Sequence, residues 1–509
     1  MKRREFLKVT GAGAAALLAP QLGLAAGPRP PDIIFLMTDQ QRWDALGVLN
    51  SQIKTPTLDG LARQGILFRQ ATCQAPMCVP SRNALMFGLY PSQTGNVSNG
   101  SPALDDAQLP LAPLAEQLRK AGYQTAGFGK THWGRSLHGT SARGFETRVI
   151  GEGGVEAETG ARYWVEDNAR GAALYQKETA TYGGGEEAVP GYIGCTSQVP
   201  EGDHRDGWIA EQCLHWLEAG LDASRPLFLY LSFYKPHAGL NVPKRFEELY
   251  DLARIPATPQ PPWQTEQDTH LAYTDLTNKN QANRYRAWQG AFSKMSRDEQ
   301  RRTTLRYYAN CSWLESYFGR VLVRLEKLGR LQNALIVFTA DHGDMLGERN
   351  WRFTKYCLYD SSVRVPLILA GSVVPEARRG TVDERPAELV DVLPTIAHAA
   401  GAALPAGLPG LDLLGAQKHD ASFCEFHDAD GPAWMWRTPE WKLILFTDRR
   451  RTPGHEEIRG ELYDLKNDPH EWRNLFADEA HAAIREQLKT QLNARRATLR
   501  DRWPGHRSG

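Results

Sequence analysis

Three short apolar runs, each stopped by residues able to do chemistry, constrain this chain most. Ile33-Ile34-Phe35-Leu36-Met37 stops at Thr38-Asp39-Gln40, Leu227 to Phe233 stops before Lys235-Pro236-His237, and Ala334 to Thr339 stops before Asp341-His342. Continuous β-leaning runs of this kind are those of strands buried on both faces of a parallel sheet. In open α/β sheets ligands bind beyond the carboxyl ends of the strands, so the three polar stops are expected to converge on one composite site. Helical segments alternate with the runs. Leu111 to Ala121 is amphipathic and closed by Gly122, and Thr303 to Leu328 is long and closed by Gly329. The pattern predicts an α/β fold, with a mostly parallel central sheet and helices on both faces.

At 509 residues the chain exceeds one ordinary small domain, and two unequal domains are expected. From about Ser422 the texture changes. Trp434 to Thr438, Trp441 to Phe446 and Glu461 to Leu465 read as antiparallel strands, a basic loop spans Asp448 to Gly460, and Ala477 to Arg500 reads as a charged amphipathic helix. This divides the chain into a catalytic domain over 30–421 and a smaller α+β domain over 422–509. Two stretches, Gly151 to Pro200 and Ile255 to Arg301, read as insertions. Their aromatics Tyr163, Trp164, Tyr182, Tyr192 and Trp263 favour substrate-facing walls over disorder.

Lys and Arg number 60 against 59 Asp and Glu, so the formal charge is +1 and no general field attracts nucleic acid or an acidic membrane. Anion recognition must be local. The start, Lys2-Arg3-Arg4-Glu5-Phe6-Leu7-Lys8 followed by a weakly apolar stretch from Val9 to Leu24 and small residues at Ala25-Ala26, reads as a twin-arginine signal over 1–26. The twin-arginine export machinery is therefore an expected partner, with a periplasmic or secreted location. No later stretch is apolar enough for a stable membrane span. Seven cysteines leave at least one unpaired.

One of them stands in Cys78-Val79-Pro80-Ser81-Arg82, followed by Leu85 and Gly88. The string sets a cysteine at a helix start beside a fixed cation. The helix dipole and the free N–H groups of the first turn favour an anionic nucleophile there, and Arg82 can hold the charge of substrate or nucleophile. Pro80 fits an early helical position. Alone, so short a string arises by chance, and a buried inert cysteine is the commoner fate. Asp39, Gln40 and Asp341 add hard oxygen ligands at strand ends, which suit Ca²⁺ or Mg²⁺ better than a transition metal. A lone Asp39 would read as a cap; paired with Asp341 after another strand it does not. No zinc-type His or Cys spacing is present.

The Cys-x-Pro-Ser-Arg string resembles the signature of the formylglycine-dependent sulfatases, within the alkaline-phosphatase-like superfamily. Gly122-Tyr123-Gln124-Thr125 with Gly129-Lys130-Thr131-His132, Asp341-His342-Gly343-Asp344, and Glu461-Leu462-Tyr463-Asp464-Leu465 with Asp468-Pro469 follow in that family's order. Phe87 replaces the family's usual Thr before Gly88, which reads as a packing change. Gln40 replaces the second Asp of the commoner Asp-Asp pair. The resemblance implies that Cys78 is converted to formylglycine by a formylglycine-generating enzyme, and that Asp39, Gln40, Asp341, His342 and the modified Cys78 hold Ca²⁺ or Mg²⁺. It also implies that Lys130 binds the sulfate or the formylglycine oxygen and that Lys355 binds the sulfate. His132 would take a proton from the aldehyde hydrate, and His237, as an imidazolium, would protonate the leaving alcohol. Lys235 repeats the Lys-x-His spacing with His237 and is a further catalytic candidate.

The function expected is hydrolysis of an organic sulfate, in particular a sulfated carbohydrate. A phosphonate or phosphodiester hydrolase of the same superfamily is one alternative. A non-catalytic binder of sulfated glycans is the other.

Overall fold

In the computed structural model, residues 29–104, 106, 109, 111–135, 141–151, 160–180, 193–263, 292–428, 431–446 and 460–500 are described. The twin-arginine segment, the loop following Phe446 and the aromatics Tyr182 and Tyr192 lie outside them.

A nine-stranded sheet runs through the larger part of the chain. Its strands are β1 (Asp32–Asp39), β2 (Ile66–Thr72), β3 (Gln124–Gly129), β4 (Thr147–Ile150), β5 (Arg162–Tyr163), β7 (Leu227–Pro236), β9 (Ala334–Ala340), β10 (Leu367–Ala370) and β11 (Thr381–Glu388). The order is β11-β2-β10-β9-β1-β7-β3-β4-β5, and β10 alone runs antiparallel to its neighbours. The small strands β6 (Thr196–Ser197) and β8 (Val242–Pro243) pair separately. The three apolar runs are the central strands: Ile33 to Leu36 pairs with Phe228 to Leu231 on one side and Leu335 to Phe338 on the other.

Strand alternation sorts these side chains into two cores. Ile33, Phe35, Tyr230, Leu335 and Val337 pack on one face, and Ile34, Leu36, Leu229, Leu231, Ile336 and Phe338 on the other. Each is almost wholly buried, worth about 1.5–3 kcal/mol per large side chain as an upper bound. The second face is covered by the helix Arg297–Lys327 through Trp313, Leu314, Phe318, Val321 and Leu325. That helix starts six residues before the expected Thr303. Its first turns are polar and show no apolar stripe, and a capping box between Ser296 and Glu299 sets the start. The first face is covered by the helices Cys78–Phe87, Leu114–Lys120 and Val392–Ala399. No helix of the described residues is long and apolar enough to cross a membrane.

The C-terminal region is a separate antiparallel sheet, β12 (Ser422–Asp428), β13 (Gly431–Arg437), β14 (Trp441–Phe446) and β15 (Gly460–Asp464), in sequence order. The helix Ala482–Arg500 buries Leu488 and Leu492 against Leu443, Leu462 and Leu475. β12 was not expected. Its Glu425 is buried and holds the backbone N–H of Ser92 at 2.9 Å, a polar residue on an inward position that masks the apolar pattern. In the insertions, Trp164 packs edge-on against Tyr175, and Trp263 donates to the Trp472 carbonyl at 2.9 Å. All seven cysteines are free thiols.

Candidate active site

The carboxyl ends of β1, β3, β7 and β9 meet the first residue of the helix Cys78–Phe87. Arg82, one turn into that helix and 1% exposed, ties them together. Its guanidinium donates to Asp341 Oδ2 at 2.7 Å, Asp39 Oδ2 at 3.2 Å, the Lys130 carbonyl at 2.7 Å and Ser232 Oγ at 2.9 Å. Arg82, which the sequence offered to the charge of substrate or nucleophile, is engaged here by the protein's own strand ends. Ser81 Oγ adds a bond to the Asp341 carbonyl at 2.5 Å.

Gly129 lets β3 end this close to β7. At φ 90°, a Cβ there would stand 1.8 Å from the Ser232 carbonyl oxygen, the acceptor of the Lys130 N–H. Lys130 Nζ then reaches Asp39 Oδ2 at 2.7 Å. His132 lies past the strand end with φ 53°, off the regular alternation of β3. Its Nδ1 is buried with no hydrogen-bond partner.

Cys78 Sγ lies 3.0 Å from Lys355 Nζ, 3.2 Å from His342 Nε2 and 3.9 Å from Asp39 Oδ1. Burial and Asp39 oppose its ionisation, but Lys130, Lys355 and His342 outweigh them and hold the thiol well below its usual range. Burial likewise opposes ionisation of Asp39, yet Lys130, Arg82 and Lys355 hold it well below the usual carboxylate range. Asp341 goes the other way, raised by burial and by its proximity to Asp39 despite Arg82. Lys355 also donates to Gln40 Oε1 at 2.9 Å. Gln40 has φ 67° and is held by its neighbours: its N–H donates to Asp341 Oδ1 at 2.9 Å, and its carbonyl accepts from Tyr307 at 2.6 Å.

Single ligand atoms of Asp39, Cys78, Asp341 and His342 all lie within 4.8 Å of one another, in a buried setting. His342 Nδ1 faces the Gly343 carbonyl at 2.9 Å, an acceptor only, so Nδ1 carries a proton and Nε2 is the nitrogen turned to the cluster. Two carboxylates, the Gln40 amide and one imidazole fit a hard divalent cation such as Ca²⁺ or Mg²⁺.

The half-buried His237 turns Nδ1 to the Ala238 carbonyl at 3.0 Å, which leaves Nε2 free. Burial and Lys355 push it down to about 3 despite Asp39 and Cys78, so it is neutral in this state and not the expected imidazolium. Lys235 departs furthest from expectation. β7 does not stop at Phe233 but continues through Pro236, and the Lys235 ammonium is buried, donating to the Gly239 carbonyl. Burial and Arg205 push it down to about 7 beside Asp206, Glu178 and Cys195, a set distinct from the one around Cys78.

Sequence reasoning missed several supporting residues. Asn99 accepts the Val79 N–H at 3.0 Å beside Cys78, and its amide reaches the Tyr356 hydroxyl at 3.4 Å. Asp344 accepts from Gln40 Nε2 at 2.5 Å and from the Thr354 N–H at 2.8 Å, joining β1 to the Lys355 loop. Asn99 and Tyr307 carry no local signal; Asp344 sits within the quoted Asp-His-Gly-Asp string.

Known proteins share this layout. The Sulfatase family profile matches residues 31–402, and the profile of the N-sulphoglucosamine sulphohydrolase C-terminal region matches residues 347–498. An arylsulfatase of Clostridium perfringens is 26% identical over 485 residues, 91% of this chain and 93% of that protein. Among solved structures, the phosphonate monoester hydrolase SpPMH from Silicibacter pomeroyi superposes with TM-score 0.75 at 23% identity, covering 93% of this chain and 97% of its own. BT4656 in complex with its substrate D-glucosamine-2-N,6-O-disulfate superposes with TM-score 0.69 at 22% identity, covering 94% and 99%. At such identities the two structures speak for the alkaline-phosphatase-like fold. The profile match spans more than half of the chain, and on it this protein belongs to the sulfatase family of enzymes.

Proposed function

We propose that this protein hydrolyses a sulfate ester of a carbohydrate, with a formylglycine formed from Cys78 as its nucleophile. The observation that carries the reading is the position of Cys78: first residue of a buried helix, with Lys355 at 3.0 Å and His342 at 3.2 Å. Hydrated formylglycine supplies an oxygen nucleophile directed at sulfur. Asp39, Gln40, Asp341 and His342 would hold a divalent cation, which would supply Lewis-acid polarisation of the sulfate group.

The chain's own groups do the rest. Lys130 and Lys355 present fixed ammonium groups to the charge that spreads over the sulfuryl oxygens. His237 offers Nε2 towards the ester oxygen. Its neutral resting state means that the proton it delivers is taken up when the anionic ester enters and offsets the field of Lys355 and Lys130. His132, with a buried unpartnered Nδ1, is the base that removes a proton at position 78 as sulfate departs. Trp164 is buried in the core and not a substrate-facing wall; the carbohydrate is supported by the sulfated glucosamine on which BT4656 acts. The twin-arginine reading of Lys2-Arg3-Arg4 supports a periplasmic or secreted location.

Two measurements test the reading. Mass spectrometry of the Cys78 peptide from the native host is expected to show loss of sulfur and two hydrogens and gain of one oxygen; an unmodified thiol removes the nucleophile. Parallel assays with 4-nitrophenyl sulfate, glucosamine sulfates and a phenylphosphonate monoester are expected to favour sulfates. A clear preference for the phosphonate replaces the sulfate reading with the phosphonate one.

A further inference from the structure

We propose that the C-terminal sheet is part of the catalytic apparatus, with Lys442 and Glu471 as positioning residues that hold Lys355 against Cys78. The inference rests on Lys355 acting on the sulfate group, as proposed above. Lys355 sits in a loop with an unusual run of left-handed residues. Its two neighbours, Thr354 and Tyr356, have φ of 64° and 74°, and Arg349, Asn350 and Trp351 are also left-handed. Non-glycine residues keep such conformations only where the surroundings over-determine them.

On either side of Lys355 the loop is held from the catalytic domain, by Asp344 on the Thr354 N–H and by the Pro76 carbonyl on the Tyr356 N–H at 3.3 Å. Downstream it is held from the C-terminal region. Lys442 of β14, wholly buried, donates to the Leu358 carbonyl at 3.1 Å and pairs with Asp360 Oδ1 and Glu471 Oε1, each at 2.5 Å. Glu471 Oε2 accepts the Asp360 N–H at 2.7 Å, and its own carbonyl accepts from Arg349. Arg437 of β13 forks onto both oxygens of Asp360 at 2.8 Å. A carbonyl three residues after Lys355 and an N–H five residues after it are thus fixed by side chains that never touch the reacting atoms.

A double-mutant cycle tests this, with kcat/KM for 4-nitrophenyl sulfate measured in wild type, Lys442→Met, Lys355→Ala and the double variant. Positioning through Lys355 predicts that Lys442→Met lowers kcat/KM at least about tenfold in wild type and changes it less than about twofold once Lys355 is absent. Loss by the same factor in both backgrounds, as from general destabilisation, overturns the proposal, and so does no loss in wild type. If Lys442→Met does not fold, Glu471→Gln, which keeps the side-chain shape, goes through the same cycle with the same two readings. Wild-type activity in Lys355→Ala removes the role of Lys355 itself, a failure distinct from additivity in the cycle.

Discussion

Lys355 Nζ stands 3.0 Å from Cys78 Sγ, inside a cluster where both side chains are nearly inaccessible to water. The same ammonium bonds Gln40 Oε1, so one cation links position 78 to the candidate metal ligands. A cation in this place stabilises whatever negative oxygen or sulfur occupies position 78, and it is not screened by solvent.

Cys78→Ala is therefore expected to abolish turnover, by about 10³-fold or more, while the fold is kept. The side chain removed is small and buried on a helix whose other contacts remain. Hydrolysis of 4-nitrophenyl sulfate and a circular-dichroism melt check this together. Undiminished hydrolysis would end the assignment of Cys78 as nucleophile.

Metal binding should depend on pH in a definite sense. Burial and Asp39 raise Asp341, and although burial and Lys355 oppose it, Asp341 and Cys78 together raise His342. Both must shed their protons to ligate a cation, so Ca²⁺ affinity should rise with pH, by up to about tenfold per unit for each proton released. Calorimetric titration of chelator-stripped protein with CaCl₂ at pH 6 and pH 8, in buffers of different ionisation enthalpy, reads both affinity and proton release. Equal affinities at the two pH values would contradict the ligand set.

Much of the architecture was legible because β1, β7 and β9 are buried on both faces and read as unbroken apolar runs. Asp39, Gln40, Asp341 and His342 were legible because each directly follows or ends such a run. What was not legible depends on distance along the chain. Tyr307 holds the Gln40 carbonyl from 267 residues away, and nothing around it in sequence marks it. Lys235 was misread for the opposite reason: its local spacing copies Lys130 and His132, but β7 carries it past the expected strand end into another buried set. β12 and the first turns of the helix Arg297–Lys327 were missed because polar side chains there face the interior or precede any apolar stripe.

Arg82 joins both carboxylates of the metal set to two further strand ends, and only a guanidinium has the fork to do so. Arg82→Met is expected to lower stability by about 3–5 kcal/mol, since it leaves buried charge uncompensated. Arg82→Lys should restore part of that stability but not the Ca²⁺ affinity, because one ammonium cannot orient Asp39 and Asp341 together. Denaturant melts with CaCl₂ titrations separate the two effects. Full recovery of metal affinity in Arg82→Lys would show that charge alone suffices.

A second titrating group lies at the junction of the two regions, away from Cys78. His419 Nε2 pairs with Asp391 Oδ1 at 2.8 Å, with Glu388 at 4.0 Å. Burial opposes its protonation, but the Asp391 bond and the charges of Asp391 and Glu388 prevail and raise it to about 9. A histidine raised on folding contributes stability that is fully present below its unfolded value of about 6.5 and is lost as pH rises through about 9. A shift of this size corresponds to a contribution on the order of 3 kcal/mol. Wild type and His419→Gln should therefore differ most in stability below pH 6.5 and converge above about pH 9. Urea melts at pH 6, 8 and 10 measure the difference. A gap that stays constant across that range would show that His419 stabilises by packing and its hydrogen bond, not by its charge.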